Sequence, residues 1–156
     1  MPAMQWSAEL ELGLVPMDAT HQEFVALYNA LESAGPDTLV ECFDAFIAHT
    51  EAHFEQENGW MAAVDFPGCH RAEHDRVLAV IRDVRQRLAQ GDGALARRLI
   101  EELPPWFESH AGGMDAALAH HLATIGFDFA TGCAVAPAGG CGERAAGACS
   151  CTGAAA

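Results

Sequence analysis

The sequence predicts an all-α protein: an antiparallel up-down-up-down four-helix bundle with an N-terminal arm and a flexible C-terminal tail. Three observations predict it. Apolar residues recur every three or four positions over long stretches, Gly and Pro separate these stretches, and the connections between them are short. Helices joined by short connections pack antiparallel to their neighbours. The 156 residues, 51% of them hydrophobic, suffice for the core of one domain.

The chain begins with an irregular arm that runs to about Pro16, in which Trp6 is available to pack over the bundle. Asp18 is of a residue type that caps helices, and it predicts the start of a first helix that runs to about Ser33. The turn-forming residues 35–37 end this helix.

The next two helices are bounded by similar breaks. We expect a second helix over about 37–64, ended by the Phe-Pro-Gly turn at 66–68. A third follows over about 69–90, ended by the Gly-Asp-Gly sequence at 91–93.

A fourth helix is expected over about 94–122, and Pro104-Pro105 within it should kink or split it. Beyond residue 129 the composition changes to Ala, Gly and Cys, which cannot bury enough apolar surface to offset the entropy of ordering. We therefore divide the chain into a bundle domain, 1–130, and a flexible tail, 131–156.

Composition excludes several classes of function. The formal charge is −14, with 22 acidic residues against eight Arg and no Lys, so nucleic acids and anionic membrane surfaces are disfavoured as partners. No apolar run is long enough to span a bilayer, and the start lacks the features of a signal peptide. We expect a cytoplasmic monomer without a disulfide framework; its protein partners are not specified by the sequence.

Residues of metal-binding types recur on all four predicted helices. They are His21, His53, Glu57, His70, His74, His110 and Asp115. His53/Glu57 and His70/His74 are spaced four apart, so each pair projects from one helix face. His110 and Asp115 are five apart, which requires a bulge, and Gly112-Gly113 supplies backbone freedom for it.

The size of this set indicates more than one metal. About four protein ligands complete a site for a single ion, so seven suggest two metals that share bridging carboxylates. A single His on an apolar helix face is usually a hydrogen-bonded core residue. Five imidazoles and two carboxylates in one core would be costly to bury without a metal. His49, His120 and His121 lie off the pattern, and we expect them at the surface or behind the ligands.

Four segments carry a resemblance to a known family. They are 13–21, which ends in His21; 53–57 (HFEQE); 70–74 (HRAEH); and 106–115, which contains His110 and Asp115. In this order they resemble the hemerythrin family, in particular bacterial hemerythrins, over roughly residues 6–122. The up-down-up-down bundle is also the architecture that this resemblance implies.

The resemblance implies a non-haem di-iron centre. One iron would be held by His70, His74 and His110, and the other by His21 and His53. Glu57 and Asp115 would bridge them together with an oxo or hydroxo group. The second iron then has one open coordination position, at which the family binds dioxygen reversibly. The implied function is an oxygen carrier, store or sensor rather than an enzyme.

Two other functions stay open at this stage. One is a di-iron enzyme that acts on peroxide, nitric oxide or ferrous iron. The other is a binding module whose tail, with Cys149 and Cys151, delivers a soft metal or docks a partner.

Overall fold

The computed structural model describes residues 3–134, and these are mostly helical. The helices are α1 (Val15–Glu32), α2 (Leu39–Ala63), α3 (Cys69–Ala89), α4 (Gly93–His110) and α5 (Ala116–Thr124), with a π-helical turn (Ala111–Asp115) between the last two. A two-stranded hairpin follows, in which β1 (Phe127–Asp128) pairs antiparallel with β2 (Cys133–Ala134).

The helices form the predicted four-helix bundle. Each of α1, α2 and α3 packs on the next helix in the chain, and α1 also contacts α4, which closes the bundle. The fourth rod consists of α4, the π-helical turn and α5 in succession. The other helix ends lie within two residues of the predicted ends, except the start of α1.

The predicted start of α1 at Asp18 is wrong. The helix begins at Val15, with Pro16 in its first turn, where the missing N–H has no intrahelical partner to lose. The carboxylate of Asp18 instead accepts hydrogen bonds from the backbone N–H groups of Leu12 (2.8 Å) and Gly13 (3.0 Å). Asp18 therefore fastens the N-terminal arm to the helix rather than capping it.

The predicted split at Pro104 and Pro105 is also wrong, because α4 runs through both prolines without interruption. A proline at position 104 cannot donate to the carbonyl four residues earlier, at Ile100. The hydroxyl of Tyr28 on α1 donates to that carbonyl at 2.9 Å, in the buried interior. The tertiary hydrogen bond thus replaces the one that the proline removes, and it links α1 to α4.

Two apolar clusters fill the bundle, one on each side of a buried polar layer. The larger is rich in aromatic side chains, including Phe24, Tyr28, Phe43 and Phe46, and Trp6 of the arm packs against it as expected. The smaller cluster lies towards the other end of the bundle; its buried members are Met17, Met61, Leu118, Ala119, Leu122 and Phe127. On α1, for example, His21 falls between Met17 of the smaller cluster and Phe24 of the larger one.

A short hairpin crosses the boundary that the sequence predicts between the bundle domain, 1–130, and the tail, 131–156. Thr131 and Gly132 belong to the turn of the hairpin, and residues 133–134 form β2, although the sequence placed the flexible tail from 131 onwards. The Asp128 carboxylate accepts hydrogen bonds from Ala130 N–H (2.9 Å) and the Thr131 hydroxyl (3.0 Å), which stabilises the turn. The predicted tail beyond 134, with Cys149 and Cys151, lies outside the described residues. Within 3–134, no helix is long and apolar enough to cross a membrane.

Candidate metal centre

The buried polar layer consists of the seven side chains singled out in the sequence. His21 comes from α1, His53 and Glu57 from α2, His70 and His74 from α3, His110 from the last residue of α4, and Asp115 from the end of the π-helical turn. Each is at most 5% exposed. All four rods of the bundle therefore deliver polar groups to one place in an otherwise apolar core.

The π-helical turn brings His110 and Asp115 to the same side of the helix although they are five residues apart. Ala116 N–H donates to the carbonyl of Ala111, five residues back, which widens the helix by one residue at this point. His110 and Asp115 then face the same side, with His110 Nε2 3.1 Å from Asp115 Oδ1. The bulge predicted here is present. Neither Gly112 nor Gly113 has a positive φ, so the turn does not depend on glycine.

Three histidines form the first group, which we call the three-histidine group. His110 Nε2 lies 3.2 Å from the Nε2 atoms of both His70 and His74. Asp115 Oδ1 lies 2.9 Å from His70 Nε2, and Glu57 Oε2 lies 3.3 Å from His74 Nε2. One oxygen of each carboxylate therefore belongs to this group.

The remaining two histidines form the second group, which we call the two-histidine group. Glu57 Oε1 lies 2.9 Å from His53 Nε2 and 3.5 Å from His21 Nε2. Asp115 Oδ2 lies 3.1 Å from His21 Nε2. Each carboxylate thus turns one oxygen to each group, which is the arrangement of a ligand that bridges two ions.

The donor atoms fit metal ions better than they fit one another. Hydrogen bonds cannot satisfy the three clustered Nε2 atoms, because His110 Nε2 offers only one proton or one lone pair to two neighbours. In the described part of the chain, Glu57 Oε2 and both oxygens of Asp115 are buried without a hydrogen-bond partner. Neighbouring ligand atoms of one ion, each about 2.1 Å from it, lie about 3.0 Å apart, close to the spacings seen here. The ligand atoms lie close enough for two ions that share both carboxylates.

The electrostatics also favour cations. Burial lowers the pKa of His21 and of His70, but the adjacent carboxylates of Asp115 and Glu57 outweigh it and raise both values to about 9. Burial raises the pKa of the two carboxyls, yet the surrounding histidines hold both well below their ordinary values. Two ionised carboxylates in the core therefore favour nearby positive charge. Bound metal ions would supply this charge and would displace protons from the histidines.

Aromatic rings enclose the polar layer. Phe54 stacks on His74 with ring centroids 3.9 Å apart, and Phe107 meets the ring of His21 edge-on at 5.3 Å. Trp106 stacks on His110 at 4.8 Å. These three aromatic rings therefore pack directly on imidazoles of the polar layer. Met61, one helical turn after Glu57, packs in the smaller apolar cluster.

The other histidines lie outside both groups. His49 is half-buried, with its Nε2 3.1 Å from Glu23 Oε2, and its ring centroid is 6.0 Å from that of His53. His120 is exposed, and His121 lies against Phe66. Sequence reasoning missed Asn58, whose side chain reaches His74; its place one residue after Glu57 was the available signal.

Fold and site together define a helical bundle with a buried cation-binding centre, and comparisons identify the class. Residues 13–122 match the family model of the hemerythrin HHE cation binding domain, so the chain belongs to the hemerythrin family. Members of this family bind non-haem iron and dioxygen.

Two relatives carry the same name. A bacteriohemerythrin of Ralstonia nicotianae is 52% identical over 130 residues, which is 82% of this chain and 95% of the relative. A bacteriohemerythrin of Stenotrophomonas maltophilia is 25% identical over 128 residues, 78% of this chain and 83% of that relative. No solved structure gives a significant match.

Proposed function

We propose that this protein binds dioxygen reversibly at a di-iron centre held by the seven buried residues. The three-histidine group would hold one iron and the two-histidine group the other, with Glu57 and Asp115 shared between them. Iron held by these residues would supply the electrons that reversible dioxygen binding needs and a place for the ligand to bind. The names of the two relatives support an oxygen-binding role.

The observation that carries the proposal is the unequal division of histidines around two shared carboxylates. The two groups contain five and four residues respectively, and Glu57 and Asp115 count in both. The two-histidine group therefore offers one ligand fewer, and a small molecule can take the vacant position.

The surroundings of that group suit an apolar diatomic ligand. The ring of Phe107 meets that of His21 at 5.3 Å, and Phe24 lies 6.1 Å from His53, edge-on. Phe24 and Phe107 also stack on each other at 4.4 Å, and both are fully buried. These rings exclude water, which protects a weakly bound neutral ligand from exchange with solvent.

Five imidazoles with two carboxylates also favour reversible binding over oxidation chemistry. Di-iron oxidases built on similar bundles use four carboxylates with Glu-x-x-His motifs, and their extra negative charge stabilises higher oxidation states. A ligand set in which neutral imidazoles outnumber carboxylates favours a mild redox cycle. Whether the protein carries, stores or senses dioxygen depends on affinity and partners, and a cytoplasmic monomer remains our expectation.

The test is an optical spectrum of the iron-loaded protein, reduced under anaerobic conditions and then exposed to air. We expect a charge-transfer band that appears with oxygen and bleaches on deoxygenation over repeated cycles. A His21→Ala variant should lose the band, whereas His120→Ala, at an exposed histidine, should keep it. A colourless protein with a single zinc would contradict the proposal. Sustained turnover of peroxide or nitric oxide would indicate the enzyme function instead.

A further inference from the structure

Asn58 makes a contact with the centre that the ligand set does not account for. Its Oδ1 atom lies 2.9 Å from His74 Nδ1, the ring nitrogen that points away from the other ligands. An amide oxygen can only accept a hydrogen bond, so His74 Nδ1 must carry the proton. The opposite nitrogen, Nε2, is then free of a proton and faces His110 and Glu57.

This contact distinguishes His74 from the other four histidines of the centre. In residues 3–134, the Nδ1 atoms of those four are buried without a hydrogen-bond partner; they are His21, His53, His70 and His110. Their tautomers are therefore not fixed by another side chain. Among the five histidines of the centre, and as far as residues 3–134 show, it is His74 whose Nδ1 has a side-chain acceptor, and this acceptor selects the ring form able to bind a metal through Nε2.

The neighbourhood of Asn58 holds the same ring in place. Phe54, one helical turn earlier on α2, stacks on His74 with an interplanar angle of 3° and a centroid distance of 3.9 Å. The stacking fixes the plane of the ring, and the Asn58 hydrogen bond fixes its rotation within that plane. Both residues line an open cleft of about 520 Å³ between α2 and α3. A larger side chain at position 58 can therefore extend towards solvent.

We propose that Asn58 is a positioning residue, which holds His74 in its Nδ1-protonated form so that Nε2 is preorganised for a metal in the three-histidine group. This inference rests on the proposed function, because it assumes that the group binds iron. A hydrogen-bonded partner behind a ligating histidine fixes the tautomer, orients the ring and raises the basicity of the ligand. The three-histidine group would accordingly be the more rigid of the two.

The first test measures the tautomer directly in the metal-free, full-length protein by two-bond ¹H–¹⁵N correlation spectra of the histidine rings. We expect His74 to be protonated at Nδ1 in the wild type and in Asn58→Asp, which keeps an acceptor oxygen. In Asn58→Leu, the Nε2-protonated form should become populated. Asn29→Leu is the matched control, because Asn29 is also a half-buried helical amide with hydrogen bonds, but to Met4 in the arm.

The second test titrates Co²⁺ into the same four proteins. We expect Asn58→Leu to lose about 10- to 100-fold in affinity, as is typical when such a partner is removed, and Asn58→Asp to keep its affinity. Asn29→Leu should lose stability without a change in affinity.

An unchanged tautomer and unchanged affinity in Asn58→Leu would overturn this inference alone. Failure of the wild type to bind Co²⁺ or iron would overturn the proposed function, and this inference with it. The two failures are distinguishable, since the ring spectra are recorded without metal.

Discussion

The two halves of the candidate centre differ in how their histidines are supported. In the three-histidine group, Asn58 accepts from His74, and Trp106 both stacks on His110 and donates to Glu73 at 3.0 Å. In the two-histidine group, the neighbours of His21 include Phe107, and those of His53 include Phe24 and His49. Within residues 3–134, one histidine of the first half, His74, thus has a hydrogen-bonded side chain behind it, whereas neither His21 nor His53 has one at Nδ1, and their neighbours are mostly apolar rings.

This difference matches the two tasks that the proposed function separates. A metal that only has to remain bound benefits from ligands held by hydrogen bonds. A metal that exchanges a small ligand benefits from a dry, apolar space and one ligand fewer. The bundle can supply both because α1 contributes only to the two-histidine group and α3 only to the three-histidine group. The following predictions test this division, from the largest expected effect to the smallest.

The largest effect should follow from Glu57→Gln, because this carboxylate serves both groups. The neutral amide removes a negative charge and places an NH₂ group among ring nitrogens. We expect the iron affinity to fall by more than about 100-fold, beyond the loss typical of a residue behind the ligands. Measurement of iron per chain after dialysis checks this. Glu55→Gln, at an exposed glutamate two residues away, is the control and should keep its iron.

A pair of variants should separate the two halves. His53→Ala leaves the three-histidine group complete with its five residues but reduces the two-histidine group to three residues. The protein should therefore retain roughly half of its metal. His70→Ala leaves four residues in each group, so the affinities for the first and second metal should become more similar. Titration with Co²⁺ distinguishes these results. Identical titration curves for the two variants would contradict the division into groups.

The support around the three-histidine group should depend on pH. A hydrogen bond from Arg76 lowers the pKa of Glu73 to about 2, and the bond from Trp106 adds to this effect. Because the folded-state pKa is lowered, the stabilisation is present above the ordinary value near 4.5 and is lost as pH falls towards 2.

We therefore expect Glu73→Gln to reduce the free energy of unfolding of the metal-free protein by about 1 kcal/mol at pH 7. The difference from wild type should shrink as the pH falls below 4.5, as measured by urea denaturation. Asp83→Asn is the control on the same helix; it breaks an exposed ion pair with Arg87 and should have a smaller effect. A difference that does not change with pH would refute this role for Glu73.

The smallest effect is expected from Gly113→Ala in the π-helical turn. Gly113 does not have a positive φ, and a Cβ atom there would meet no atom within 4 Å apart from the adjacent residues and the nearby backbone of its own helix. The substitution should retain iron and raise stability by about 0.4–1 kcal/mol, since alanine restricts the unfolded chain. Gly91→Ala should instead destabilise, because Gly91 has a φ of +95°. Loss of iron in Gly113→Ala would show that the turn needs glycine after all.

Much of this molecule could be predicted from the sequence because its main signals are local and periodic. The spacing of apolar residues predicts the four helices. The four-residue spacing within His53/Glu57 and within His70/His74 predicts that each pair lies on one helix face. The errors arose where a distant residue decides the outcome. Tyr28 restores the hydrogen bond lost at Pro104, and Asp18 bonds to the arm instead of capping a helix. No local pattern reports such partners.

Within the site, the residue types of the candidate ligands could be predicted from the sequence, but the atoms that contact one another could not. Which carboxylate oxygen faces which histidine depends on how the helices rotate against one another, and this follows from the packing of the whole core. The hydrogen bond from His74 to Asn58 depends on the same rotation. From the sequence alone, a polar residue next to Glu57 could face solvent or form a hydrogen bond with a residue of the next helix.

The π-helical turn makes part of this chain sensitive to length rather than to composition. One extra residue in the turn sets the angle at which Asp115 and all of α5 leave the fourth rod. Deleting any one of residues 111–114 would restore a regular helix and rotate the Asp115 carboxylate away by about 100°. Both groups would lose an oxygen at once, although no ligand had been replaced. Substitutions at Gly112 or Gly113 should change the stability much less. These two positions can therefore vary in sequence, whereas the number of residues between His110 and Asp115 must stay fixed.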